Sequence, residues 1–171
     1  MAIAIIRNPD PDYALVLASP LGPLGICLEH SAVTCIDYLP ASRQPVDGSS
    51  AGARRVARAL ERYFADGSRP FGLPVQLGGT DFQQRVWQAL CDIPPGQTRT
   101  YGELARQLGS GARAVGNACR HNPVPVVVPC HRVVSSSGPG GYGGHMSGPP
   151  LRRKRWLLEH EGVAFQGLKK R

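Results

Sequence analysis

The stretch Val126-Val127-Val128-Pro129-Cys130-His131-Arg132-Val133-Val134 constrains this chain more than any other. Three β-branched apolar residues in a row suit a strand buried on both faces, so the segment is expected to run through the core. Pro129 has no N–H for a sheet ladder and stops pairing there. Cys130 is then carried by a rigid support to a point where regular structure ends. A nucleophile needs such a mount, yet an inert thiol fits it too, because free cysteine is among the most buried residue types. Neighbours on extended chain face opposite ways, so His131 could reach the Cys130 thiol only through a bridging water.

At 171 residues and 42% hydrophobic content, the chain can form one ordinary domain or two small ones. The five cysteines (Cys27, Cys35, Cys91, Cys119 and Cys130) are odd in number and irregularly spaced, which does not read as a disulfide framework. A reducing compartment is expected. The apolar run at Met1–Arg7 is too short for a signal peptide, and no stretch has the length of a membrane span. The expectation is a soluble, cytoplasmic protein.

Charge divides the chain unevenly. Up to Gly79, seven arginines meet seven carboxylates; beyond it, thirteen lysines and arginines meet five carboxylates, which accounts for the whole net charge of +8. A basic half beside a neutral one suggests a polyanionic partner such as nucleic acid, although charge of this kind also serves solubility alone.

Short strands are expected at Tyr13–Leu17, Ile26–Leu28 and Ala32–Ile36, as a meander. A helix follows over Ala51–Ala65, with Val56, Ala59, Leu60, Tyr63 and Phe64 on one face and Arg54, Arg55, Arg58 and Arg62 outside it. The turn-rich segment Asp66–Pro74 closes this half, and a domain boundary is expected near Gly79. Cys27, His30 and Cys35 have no obvious fourth ligand and fall short of a closed zinc site.

The second half opens on a capping box, Thr80 with Gln83, and a helix to about Cys91. A second box, Thr100 with Glu103, starts another helix ending at Gly109. Ser110 is expected to cap a third, from Gly111 to about His121. Two short helices across a glycine turn outline a helix-turn-helix, an outline that generic helix pairs share. On the third helix Ala112, Val115, Gly116 and Cys119 form a small-residue face, while Arg113, Asn117 and Arg120 project from another. Arginine and asparagine suit phosphates and base edges. Small residues would let the helix approach a widened minor groove, or merely pack on the helix before it.

Residues 135–150 read as a long flexible loop without the Gly-Lys-Ser/Thr of a phosphate-binding loop. Pro150 is expected to start a last helix, Leu151–Glu161, stopped by Gly162. Its first turns crowd Arg152, Arg153, Lys154 and Arg155 together, against the helix dipole, which suggests phosphate contact. The Lys169-Lys170-Arg171 tail is expected to be loose. Glu161 can return to the Cys130 region and fix the tautomer of His131; a surface glutamate is the plainer reading.

Pro129-Cys130-His131-Arg132-Val133 resembles the active-site motif of the O6-alkylguanine-DNA alkyltransferases. Arg113-Ala114-Val115-Gly116 and Asn122-Pro123 lie upstream at that family's spacing. Thr80–Trp87 resembles the opening of its catalytic domain and Trp156–Gly162 its close. Ser19-Pro20-Leu21-Gly22 is similar to the hairpin of its variable N-terminal domain.

The resemblance implies an α/β (α+β) fold. Residues 1–78 would form a small sheet-plus-helix domain, and residues 79–171 a mainly helical, winged-helix-like domain with a helix-turn-helix. It implies direct DNA repair: O6-alkylguanine, and O4-alkylthymine, is flipped from the duplex and its alkyl group passes irreversibly to Cys130, once per molecule and without a cofactor or a metal. By position, His131 and Glu161 would activate Cys130 through water, and Asn122 would brace the hinge. Arg113 would fill the gap in the base stack. Tyr101 would rotate the phosphate and donate to the flipped base. The carbonyls of Cys130 and Val133 would receive the guanine amino group. Tyr142-Gly143-Gly144 would cover the pocket, with the Gly143 N–H offered to the guanine oxygen, but the loop carrying them is a few residues longer than the family pattern. Ala112, Gly116, Asn117 and Arg120 would lie against the DNA. The expected partner is double-stranded DNA, bound from the minor groove by a monomer, with cooperative binding left open. A binder of alkylated DNA without transfer, or a helix-turn-helix regulator, is the alternative; the family's pure binders lack the cysteine. A cysteine hydrolase would need a separate His and Asn/Asp pair placed for a dyad.

Overall fold

The computed structural model describes residues 11–163, so the apolar run at Met1–Arg7 and the basic tail at Lys169–Arg171 lie outside the described residues. Three strands form the expected antiparallel meander: β1 (Leu15–Leu17), β2 (Leu24–Glu29) and β3 (Ala32–Tyr38). β1 starts two residues later than expected, while β3 runs on to Tyr38. A two-residue turn joins β2 to β3, with His30 and Ser31 both left-handed at φ 48° and 69°, the geometry that matches strand twist in a hairpin.

The register places Cys27 directly opposite Cys35, and the two are joined as a disulfide. This corrects the expectation of unpaired cysteines. Cysteine count and spacing carry no information on register, which the turn at His30-Ser31 and a bulge between Cys27 and Leu28 decide.

Helix α1 (Ala51–Ala65) is capped by Ser50, whose side chain accepts from the Ala53 N–H. Its buried face, including Val56, Leu60 and Tyr63, joins one apolar cluster with Leu24, Ile26 and Ile36 of the sheet. That cluster continues into the second half through Trp87, Leu104, Val133 and Leu157. The halves also meet at the backbone, where the Ile36 N–H donates to the Pro123 carbonyl at 2.9 Å.

Helix α2 (Asp81–Cys91) and helix α3 (Tyr101–Gln107) both start on the expected reciprocal capping boxes. Helix α4 (Ala112–Arg120) begins on Gly111 with no side-chain cap, so Ser110 does not have the expected role. Its N–H instead closes the α3 end by bonding the Ala105 carbonyl at 2.8 Å, beside left-handed Gly109 at φ 62°. The Trp87 indole N–H, from α2, donates to the Ala118 carbonyl at 2.9 Å and ties α2 to α4.

The valine run is not a strand. Val126 and Val128 are fully buried as expected, but Val127 is only partly so, and the chain coils: the Val128 N–H bonds the Val124 carbonyl at 2.9 Å, and Val126 is left-handed at φ 75°. Pro123, Pro125 and Pro129 lack the N–H groups of a ladder, and the Asn122 side chain takes up two of the backbone groups that remain. Left-handed geometry at a buried valine costs on the order of 1–3 kcal/mol, held in place by the packing around it. Cys130–Arg132 form a single 3-10 turn, not extended chain, and only Val133–Val134 (β5) pair, in parallel with Arg99–Thr100 (β4).

The loop expected to be flexible is folded into two tight turns, Ser135–Gly138 and Tyr142–His145. Gly143 and Gly144 supply the positive φ values, 58° and 85°, that the second turn requires. Helix α5 (Gly148–His160) starts three residues earlier than expected, because prolines are tolerated in a first turn. Among the described residues no helix is long and apolar enough to cross a membrane, and no cluster of metal-ligating side chains is present.

Candidate active site

Helix α5 carries Lys154 on an inward face with Leu157 and Leu158, and its C-cap residue Glu161 follows seven positions after Lys154, also buried. The 3-10 turn presents Cys130, His131 and Arg132 to that face. Glu161 Oε1 accepts from His131 Nε2 at 2.8 Å, from an Arg132 terminal nitrogen at 2.9 Å and from the Tyr63 hydroxyl at 2.7 Å. Its Oε2 accepts from Arg132 Nε at 2.9 Å. Burial alone would raise the pKa of Glu161, but the His131 and Arg132 hydrogen bonds and charges outweigh it and hold the carboxyl at about 2. Burial pushes His131 the other way from protonation, below its ordinary value, against the pull of Glu161.

These directions assign the tautomer. An ionised carboxylate only accepts, so neutral His131 carries its proton on Nε2 and leaves Nδ1 free to accept. Nδ1 is buried and has no hydrogen-bond partner among the described residues.

The thiol side is built differently. Cys130 is 6% exposed and its N–H bonds the Val128 carbonyl at 2.8 Å. Asn122 holds the turn from both ends, donating to the Val128 carbonyl at 2.8 Å and accepting from the Val124 N–H at 3.0 Å. Burial pushes the Cys130 thiol up, while hydrogen bonds from Asn122 and Tyr142 and the charge of Lys154 favour the thiolate. Lys154 is fully buried; its ammonium donates to the Val133 carbonyl at 2.6 Å and the Gly141 carbonyl at 2.8 Å. Burial lowers its pKa to about 8, opposed by the charges of Cys130 and Cys119.

In front of Cys130 lies a cavity of about 410 Å³. Tyr101, Ala112, Arg113, Gly116 and Arg120 form its helical wall, and Tyr142, Gly143 and Gly144 its loop wall. The Tyr101 hydroxyl donates to the Gly141 carbonyl at 3.4 Å, and its ring lies 5.7 Å from the Lys154 ammonium.

Residues 81–163 match the family model described as the DNA-binding domain of 6-O-methylguanine DNA methyltransferase. The methylated-DNA–protein-cysteine methyltransferase of Mycobacterium tuberculosis is 44% identical over 153 residues, which cover 84% of this chain and 88% of its own. The chain belongs to the methylated-DNA–protein-cysteine methyltransferase family. The crystal structure of the M. tuberculosis O6-methylguanine methyltransferase superposes with a TM-score of 0.74 at 40% identity, covering 90% of this chain and 94% of that one. The structure of M. tuberculosis OGT in complex with DNA gives a TM-score of 0.72 at 43% identity, covering 85% and 90%.

Most residues that the family motif singled out meet at one place. Cys130, Tyr101, Ala112, Arg113, Gly116, Arg120, Tyr142 and Gly143 line the cavity, with His131, Glu161 and Asn122 packed behind it. Val133 sits behind the wall, where its carbonyl already accepts from Lys154, using one of two lone pairs. Asn117 is exposed on α4 and does not line the cavity.

The expected basic cluster on α5 is split. Lys154 turns into the site, and Arg153 lies 4.3 Å over the Tyr38 ring and donates to the Leu21 carbonyl at 3.4 Å. Both are therefore drawn away from phosphate contact. Sequence reasoning missed Lys154, Arg132, Tyr63 and Cys119 as parts of the site. The seven-residue spacing of Lys154 and Glu161 was a usable signal for the first; nothing local marks Tyr63.

Proposed function

We propose that this chain repairs alkylated DNA by direct reversal, moving the alkyl group of O6-alkylguanine, and of O4-alkylthymine, onto Cys130. The observation that carries the reading is a thiol at the base of a nucleobase-sized cavity, with a neutral histidine behind it and a basic helix, α4, along its rim. His131 Nδ1 takes the Cys130 proton through one water, and Glu161 steadies the imidazolium that forms. The sulfur then bonds to the alkyl carbon as that carbon's bond to the guanine oxygen breaks. The electron pair leaves with the base, which takes a proton from the Tyr101 hydroxyl. The thioether is stable, so each molecule acts once.

An atom inside a duplex is out of reach of such a thiol, so the base must leave the stack. Helices α3 and α4 act as a helix-turn-helix entering the minor groove, with Ala112 and Gly116 allowing close approach and Arg113 filling the vacated stack. Asn117 and Arg120 contact the backbone, and the Gly143 N–H meets the guanine oxygen. Residues 1–78 and 79–171 are the two domains, the second carrying the chemistry. The protein works as a cytoplasmic monomer on chromosomal DNA.

Intact mass after incubation with duplex containing O6-methylguanine tests this. The expected result is a gain of one methyl, mapped to Cys130, with Cys130→Ala binding the duplex but gaining nothing. Binding without any mass gain under reducing conditions would leave a lesion-binding protein instead.

A further inference from the structure

Tyr38 is the last residue of β3, in the half of the chain that holds none of the reacting groups, yet its hydroxyl lies 2.8 Å from the hydroxyl of Tyr142 in the cavity wall. The two rings meet edge to face with centroids 6.4 Å apart. Arg153 covers the Tyr38 ring at 4.3 Å and is tied to the Leu21 carbonyl. The Tyr38 side chain is thus clamped between the sheet half and α5, with its hydroxyl aimed at the pocket loop.

Each phenol has one proton and two lone pairs, and burial keeps both tyrosines protonated by raising them above their ordinary value. Tyr142 lines the same cavity as the Cys130 sulfur, and its hydroxyl favours the thiolate there. Its proton can point at that sulfur or at Tyr38, but not at both. If Tyr38 donates to the Tyr142 oxygen, the Tyr142 proton is left for the thiolate, and the two bonds polarise one another.

We infer that Tyr38 is a positioning residue for alkyl transfer: it donates to Tyr142 and so directs the Tyr142 hydroxyl at the sulfur of Cys130. The inference rests on the proposed transfer to Cys130. It gives the N-terminal half a part in the chemistry through one hydroxyl that touches no substrate. The other groups facing the thiol are Lys154 from α5, Cys119 from α4, Tyr101 from α3 and Asn122. Phenylalanine at position 38 changes none of them and keeps the ring under Arg153.

The test is a cycle of Tyr38→Phe, Tyr142→Phe and the double variant in the full chain. Single-turnover methyl transfer from O6-methylguanine duplex is measured, together with the pH midpoint of iodoacetamide alkylation mapped to Cys130. Tyr38→Phe should slow transfer about three- to ten-fold, the range of one hydrogen bond, and move the thiol midpoint to higher pH. In the Tyr142→Phe background it should add nothing. Unchanged transfer, an unmoved midpoint or independent multiplication of the two effects would each overturn the role of Tyr38. Failure of the unmodified protein to take up methyl at all would instead remove the proposed function beneath it.

Discussion

The regions behind and in front of His131 are similarly dry, with Glu161 8% and Cys130 6% exposed, yet burial has opposite outcomes in them. Behind His131, four donor atoms from His131, Arg132 and Tyr63 converge on one carboxylate and hold it ionised. In front of it, the thiol faces one buried ammonium and two polar side chains, and desolvation prevails. The number of compensating partners decides the sign, not the depth of burial. A sealed, charge-satisfied end can hold a base in one tautomer, while the less satisfied end keeps a thiol that ionises only when the relay takes its proton.

The largest break in this contrast comes from Glu161→Gln. Glutamine keeps the shape but leaves Arg132 buried without its counter-charge, which should cost about 3–5 kcal/mol in urea unfolding. Transfer should fall by about a hundred-fold as His131 loses its anchor. The pH dependence of stability checks the charge itself. A carboxyl held at about 2, against an ordinary 4.5, contributes fully above 4.5 and is lost as pH falls toward 2. The variant should lack that acid-side loss.

Lys154→Met probes the thiol end and should reduce transfer by about ten-fold, the low end for a hydrogen bond or charge contact to an ion. Wild-type transfer should decline as pH rises through about 8, where Lys154 loses its charge, and the variant should lack this descending limb. The stability sign is opposite to that of Glu161. Because the folded value lies below the ordinary 10.5, this group's penalty is present at neutral pH, and stability rises between about 8 and 10.5.

Tyr63→Phe gives the smallest expected effect, about 0.5–1.5 kcal/mol in unfolding, because Glu161 keeps its other donors. It still sharpens the contrast. With one donor gone, Glu161 becomes a stronger partner for protonated His131, so the acid limb of transfer should move to higher pH. An unmoved limb would make Tyr63 a packing residue alone.

Much of the site was legible because its signals are local. The capping boxes at Thr80 and Thr100, the α1 face and the Pro-Cys-His-Arg motif need only neighbours in the chain. The valine run was misread for a related reason: its burial was visible in residue type, but its backbone depended on Asn122 and three prolines acting together. Cys27 and Cys35 were misjudged because register, not spacing, sets them opposite each other. Tyr63 and Tyr38 were invisible as site residues, since nothing around them in sequence names Glu161 or Tyr142.

The sequence by itself determined the reacting thiol, the histidine beside it, the basic half and the family to which these belong, because a motif and a charge count survive without coordinates. Only the tertiary structure decided which Glu161 oxygen faces His131, that Lys154 points inward, and that two tyrosines from the other half reach the site. Those depend on how α1, β3 and α5 pack on a 3-10 turn far away in the chain, and in a dry interior the partners that packing supplies set which groups carry charge.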